Sequence, residues 1–139
     1  MSGSSPIIKQ INHEITWPVC HRVMWPNHPF DFVKVPNDAE GTHFGLYIGD
    51  QLITVVSLFV TDEGVQFRKL ATEDEYQGLG YGSIMLEYII DWCKAKGYHR
   101  LWCNARKGKT QFYQKFGMAE TDRTYMKGGI EFVVMEMNL

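Results

Sequence analysis

No apolar run in this 139-residue chain approaches the roughly 20 residues needed to cross a bilayer as a helix. Basic residues are not in excess: 14 Lys and Arg against 16 Asp and Glu leave a formal net charge of −2. That balance lacks the electrostatic footprint of a nucleic-acid binder. Cysteine is scarce, and Cys20, Cys93 and Cys103 form an odd set without metal-ligand spacing. No metal site is expected, and free thiols point to a reducing compartment, by default the cytoplasm. The opening Met1-Ser2-Gly3-Ser4-Ser5-Pro6 is neither basic nor followed by a signal-peptide apolar core, so residues 1–6 are expected to be a flexible lead-in. Repeats and linkers are absent, and residues 1–139 are expected to form one domain with a real hydrophobic core.

What is present is a mixed α/β pattern. Ile7–Ile11 is a strand candidate, followed by a helix capped by Thr16 that tolerates Pro18 in its first turn, carries Val19, Val23 and Met24 inward, and stops at Pro26. Residues 26–42, rich in Pro, Asn, Asp and aromatics, predict a long loop, of a kind that is usually functional or mobile. Strands are expected at His43–Ile48, Leu52–Val60 and Val65–Thr72, turning at Gly49-Asp50 and Asp62-Glu63-Gly64. Ile84, Leu86, Ile89, Ile90 and Cys93 then recur at helical spacing from about Ser83, with Gly97 as the stop. A buried strand over Leu101–Ala105 makes a β-α-β unit, and a short helix covers about Lys109–Phe116. Ala119–Tyr125 and Ile130–Met137 close a last hairpin about Lys127-Gly128-Gly129.

Between the third strand of the meander and the long helix lies Gln77-Gly78-Leu79-Gly80-Tyr81-Gly82. Alternate glycines let the backbone curl tightly, and the helix that follows offers unpaired N–H groups and the positive end of its dipole. Such a turn is an anion site suited to phosphate, or else a structural connector. It has neither the Lys-Ser/Thr ending of a P-loop nor the G-x-G-x-x-G spacing of a dinucleotide fold.

A second block, Phe112-Tyr113-Gln114-Lys115-Phe116-Gly117-Met118, follows Asn104-Ala105-Arg106. Together the two blocks resemble the GNAT superfamily of acyl-CoA-dependent N-acyltransferases. Its pyrophosphate motif, Gln/Arg-x-x-Gly-x-Gly/Ala, is matched by Gln77, Gly80 and Gly82, and its Phe-Tyr-x-Lys-x-Gly-Phe motif by Phe112, Tyr113, Lys115 and Gly117, with Met118 in the final place. The resemblance implies a mostly antiparallel central sheet splayed around the cofactor and flanked by helices. It implies acetyl-CoA as co-substrate, held at the pyrophosphate by main-chain N–H groups of Gln77, Gly78, Leu79, Gly80, Tyr81, Gly82 and Ser83. It also implies that Leu70, Ala71 and Thr72 pair with the pantetheine arm, one of their amides facing the thioester carbonyl. Tyr113 would be the general acid for the departing thiolate. Arg106 occupies the place where the family often has a cofactor-bonded Asn; Asn104 stands two residues earlier, and because the Asn-Ala-Arg string resembles a subset of GNAT proteins it is a further candidate cofactor contact.

The general base is not legible. The strand Val65-Gln66-Phe67-Arg68-Lys69 lacks the carboxylate that many relatives carry there. A water chain or His43 are the alternatives, His43 being equally readable as a satisfied strand-end histidine. Glu73, Asp74 and Glu75 read as a solvated loop. Arg106, Lys107 and Lys109 are either phosphate contacts or an exposed basic turn. For the acceptor, Trp17, Trp25, Phe30 and Phe32 offer aromatic surface or pin the loop. Arg22 and Arg68 suit a carboxylate, whereas Asp31, Asp38 and Glu131 suit an ammonium. The expected activity is direct acetyl transfer to a primary amine of a small molecule or peptide, with a non-catalytic acyl-CoA-binding module as the alternative. No nucleic acid or membrane partner is expected, and a homodimer is compatible.

Overall fold

The computed structural model describes residues 5–34, 38–62 and 64–139. Most of the expected lead-in, the middle of the 26–42 loop and Glu63 of the second turn lie outside the described residues.

Strand β1 (Ile7–Ile11) has the expected bounds, and Asn12 follows it as the cap of helix α1 (His13–Met24). The Asn12 side chain accepts from the Glu14 N–H at 2.9 Å. This corrects the expectation of a Thr16 cap: Asn caps as well as Thr and stands where the extended chain ends. Thr16 is instead buried one turn in, its hydroxyl donating to the His13 carbonyl at 2.7 Å. Pro18 consequently lies beyond the first turn, where its missing N–H removes a helical hydrogen bond. The buried face is Thr16, Val19 and Cys20, while Val23 and Met24 are only half-buried.

The described residues after Pro26 hold 3-10 turns at Phe30–Val33 and Asp38–Glu40 where a loop was expected. Strands β2 (Thr42–Ile48), β3 (Gln51–Thr61) and β4 (Gly64–Thr72) form the meander. A 3-10 turn at Asp74–Tyr76 leads to helix α2 (Tyr81–Ala95) and strand β5 (Arg100–Arg106). A 3-10 turn at Lys107–Lys109 runs into α3 (Thr110–Gln114), and β6 (Ala119–Lys127) and β7 (Ile130–Asn138) form the final hairpin.

The seven strands form one sheet in the order β1-β2-β3-β4-β5-β7-β6. Antiparallel ladders join β1 to β2, β2 to β3, β5 to β7 and β7 to β6. Strands β4 and β5 run parallel, as a β-α-β crossover requires, and among the described residues their ladder spans Val65–Phe67 against Leu101–Cys103. The architecture is therefore mixed α/β with a mostly antiparallel sheet. Helix α2 starts two residues earlier than the periodicity suggested, and its buried stripe is Met85, Leu86, Ile89, Ile90 and Cys93. Ile84, expected inward, is 40% exposed.

The chain divides into two compact units, Met1–Phe59 with Lys69–Tyr88, and Val60–Arg68 with Ile89–Leu139. The first buries Phe44, Leu46, Ile53, Val55 and Val56 along with Val19 and Cys20 of α1. The second buries Val65, Phe67, Leu101, Cys103, Val133 and Met135. Fully burying one such aliphatic side chain stabilises by about 1.5–3 kcal/mol.

Candidate active site

In the first unit, β4 ends at Thr72 and the chain reaches α2 through the glycine segment. Gly78 and Gly80 have φ of +78° and +91°, a region that side chains with a Cβ rarely enter. A Cβ placed on either would meet no protein atom within 4 Å. These glycines are thus required by backbone shape and not by packing, and the space before them is open. The first helical hydrogen bond runs from the Ile84 N–H to the Gly80 carbonyl at 3.1 Å. The N–H groups of Tyr81, Gly82 and Ser83 precede it and have no acceptor within the helix. Open space, main-chain donors and a helix N-terminus fit a diphosphate.

Gln77 braces this segment. Its side-chain amide donates to the Thr72 carbonyl at 2.9 Å and to Asp74 Oδ1 at 3.1 Å, tying the turn to the end of β4. The Glu73 N–H donates to the Ile53 carbonyl at 2.9 Å, and the Thr54 and Thr72 hydroxyls share a 3.0 Å hydrogen bond. Leu70, Ala71 and Thr72 are in this way held at their C-terminal end, Leu70 and Thr72 half-buried and Ala71 buried.

At the N-terminal end of that tripeptide stands Lys69, the only non-glycine among the described residues with positive φ, +61°. The left-handed conformation costs a residue with a Cβ about 1–2 kcal/mol. Its ammonium donates to Asp38 Oδ2 at 2.6 Å and to the Val33 carbonyl at 2.9 Å. This ion pair is buried, the side chains being 10% and 1% exposed. Trp17 Nε1 donates to the same Asp38 oxygen at 2.9 Å. The Asp38 carbonyl accepts from the Gly41 N–H at 3.1 Å and contacts His43 Nε2 at 2.7 Å. Sequence reasoning missed this cluster, since the Trp17 and Lys69 side chains reach Asp38 from 21 and 31 residues away and no local signal links them.

The Asp38 contact decides what His43 can do. A carbonyl oxygen only accepts, so Nε2 carries the proton, and Nδ1 is left to take the Ser57 hydroxyl proton at 2.7 Å. Both ring nitrogens are engaged, and burial pushes the imidazole below its ordinary pKa. The strand-end reading holds, and His43 is not placed as a base. Nearby Cys20 is buried, which pushes its thiol up to about 12 and makes it inert.

The second unit carries Tyr113 on α3. Its ring packs against Phe67 at 5.8 Å and Phe112 at 5.2 Å between centroids. Among the described residues its hydroxyl makes no protein hydrogen bond, leaving its proton uncommitted. Burial chiefly, with Cys103 adding, holds the phenol above its ordinary pKa, while the Arg106 guanidinium draws it back. Asn104 and Arg106 are half-buried on β5, at the register positions of Val134 and Phe132. Lys107 pairs with Glu131 at 3.3 Å.

The charged residues weighed for an acceptor have partners within the chain. Arg22 is bonded through two nitrogens to the two Glu73 oxygens, so Glu73 is no solvated loop residue. Asp31 pairs with Lys34 at 3.0 Å, and Arg68 Nε donates to Gln66 at 3.0 Å. The aromatics pin the 26–42 stretch: Phe32 packs on Trp25 at 4.9 Å, and the Lys34 ammonium lies 5.2 Å from both the Trp17 and Phe30 rings. No group of His, Cys, Asp and Glu suited to a metal occurs among the described residues, and no described helix is long and apolar enough to cross a membrane.

The family model for the acetyltransferase (GNAT) family matches residues 11–118. The uncharacterized N-acetyltransferase YitI of Bacillus subtilis is 27% identical over 132 residues, 88% of this chain and 89% of that protein. Among solved structures, a candidate N-acetyltransferase from Lactobacillus plantarum superposes with a TM-score of 0.88 at 21% identity, covering 98% of this chain and 99% of the other. A GNAT family acetyltransferase from Elizabethkingia anophelis, solved with acetyl-CoA bound, gives 0.77 at 18% identity over 96% and 98%. At these identities the structural likenesses speak for the fold.

Proposed function

Since the chain belongs to the GNAT acetyltransferase family, and is thereby an acyl-CoA-dependent N-acyltransferase, we propose that it transfers the acetyl group of acetyl-CoA directly to a primary amine. The observation that carries this reading is the glycine segment: positive φ at Gly78 and Gly80, open space before them, and the first N–H groups of α2, without acceptors in the helix, behind. Main-chain donors from Gln77 to Ser83 grip the diphosphate, and Leu70, Ala71 and Thr72 extend β4 along the pantetheine arm. Bound there, the co-substrate supplies a thioester that an amine displaces: a C–N bond forms, the C–S bond breaks, and one proton leaves the nitrogen while one reaches the sulfur.

Tyr113 supplies the proton to sulfur. Its pKa lies above that of an ordinary thiol, about 8.5, so it stays protonated across the neutral range and acts as a hydrogen-bond donor that hands over its proton late. Arg106 narrows the gap by favouring the phenolate. With Asp38 held in a buried ion pair and both His43 nitrogens engaged, neither serves as the base, and water removes the amine proton. Asn104 is a further cofactor contact. The three unbridged, buried cysteines favour the cytoplasm as the compartment.

The test is an acetyl-CoA titration followed by thiol release with a panel of small amines, amino acids and peptide N-termini. Amine-dependent thiol release is expected. Binding without turnover on any class would leave only an acyl-CoA-binding module, and absence of binding would end the reading.

A further inference from the structure

We propose that Lys69 is a positioning residue for acetyl-CoA: its buried ammonium, clamped by Asp38 and the Val33 carbonyl, holds the left-handed kink of β4 that presents the main chain of Leu70–Thr72 to the pantetheine arm. This rests on the proposed pairing of those three residues with the cofactor.

Three observations converge. The first is the backbone: Lys69 alone among the described non-glycine residues has positive φ, immediately before the tripeptide. A strained backbone persists where the surroundings over-determine it, and a left-handed residue within a strand re-aims the residues after it. The second is the clamp. Nζ sits 2.6 Å from Asp38 Oδ2 and 2.9 Å from the Val33 carbonyl, in a side chain only 10% exposed. An ordinary strand lysine would extend into water, and no feature of a lysine favours this backbone shape, so the side-chain contacts impose it. The third is the anchor's own rigidity. Trp17 Nε1 donates to the Asp38 carboxylate, while the Asp38 carbonyl takes the Gly41 N–H and the His43 ring. The clamp is therefore fixed to α1 and β2 and does not drift with the segment that carries it.

With Gln77 tied to the Thr72 carbonyl at the other end, the tripeptide is held at both ends. The two ends serve different parts of the ligand. The glycine segment faces the diphosphate, whereas the kink sets only the strand that meets the pantetheine arm. Loss of the Lys69 clamp should thus weaken acetyl-CoA and spare a nucleotide fragment that ends at the diphosphate.

Calorimetry would compare acetyl-CoA with adenosine 3′-phosphate 5′-diphosphate on the wild type, on Lys69→Gly, and on the double variant Lys69→Met with Asp38→Asn. Lys69→Gly keeps the left-handed backbone accessible without the clamp. The double variant removes both charges and leaves an amide oxygen for Trp17. Thermal melts would confirm folding. In both variants acetyl-CoA is expected to bind about tenfold more weakly, the loss of one good polar contact, with the fragment unchanged. Equal weakening of both ligands, or acetyl-CoA binding as tight as in the wild type, overturns the proposal. Failure of both variants to fold overturns it as well, since the clamp would then act on the whole unit. If the wild type binds the fragment but gains nothing from the pantetheine arm, it is the pairing of Leu70–Thr72 that fails, and the clamp with it. A wild type that binds neither ligand defeats the acetyltransferase reading itself.

Discussion

Replacing Gly80 by valine separates the fold from the cofactor cradle. At φ +91° a β-branched residue is strained by about 1–2 kcal/mol. Because a Cβ there meets no atom beyond its chain neighbours within 4 Å, the added carbon does not run into the packed core. A domain stable by about 5–15 kcal/mol tolerates that loss and remains folded. Binding responds differently. Gly80 also supplies the carbonyl that receives the first hydrogen bond of α2, so relaxing its backbone re-aims the N–H groups at the start of that helix. Each hydrogen bond to a charged group is worth about 1.5–3 kcal/mol. Losing two from a diphosphate removes about 3–6 kcal/mol, or roughly a 10²- to 10⁴-fold weakening. Calorimetry with acetyl-CoA, run beside a thermal melt, measures both terms. A folded Gly80→Val protein with wild-type affinity would refute the cradle, because the backbone shape argued to create it would then be immaterial.

Tyr113→Phe should lower kcat by about 10²-fold, within the usual range for a general acid, while acetyl-CoA affinity stays within error; an undiminished kcat moves the acid elsewhere. Because burial holds the Tyr113 phenol above its ordinary value of 10.0, wild-type kcat should show no descending limb from this group between neutrality and that pH; a fall there that disappears in Tyr113→Phe would contradict the raised value. Asp38→Ala leaves the Lys69 ammonium buried and uncompensated and should cost about 3–5 kcal/mol in chemical denaturation, against less than 1 kcal/mol for Glu131→Ala in the exposed Lys107 pair. His43 has a depressed folded pKa, so the unfolded chain binds the extra proton first and the group's contribution to stability is complete above 6.5 and lost as pH falls below it. Denaturation midpoints from pH 7.5 to 5 should therefore drop more steeply in the wild type than in His43→Gln, and equal slopes would count against it.

What was legible in the chain is what a few neighbouring residues decide. The glycine segment, the hairpin at Gly128-Gly129 and the strand Ile7–Ile11 each declare themselves within ten residues, because turn geometry and side-chain alternation are local. Even there, boundaries were set by competition: Asn12 took the cap assigned to Thr16, and Met85 took the inward place assigned to Ile84. The chemistry of single charged residues was not legible. A sequence shows that Arg22, Asp31, Asp38 and Glu131 carry charge, but not which of them the fold neutralises. Arg22 finds its partner 51 residues away, and Lys69 finds Asp38 across 31. Lysine also carries no signal for a left-handed backbone, so the kink at Lys69 is visible only in the folded chain.

That neutralisation bears on acceptor choice. A residue already in an ion pair can greet a charged substrate only by giving up its partner, and the cost of doing so depends on burial. Arg22 is 57% and Glu73 19% exposed, so water screens the Arg22–Glu73 pair in part and opening it costs less than opening a fully buried pair. The Asp38–Lys69 pair, 1% and 10% exposed, cannot be opened without stranding a buried charge. Asp38, which in the sequence alone suited an ammonium, is for that reason a framework residue.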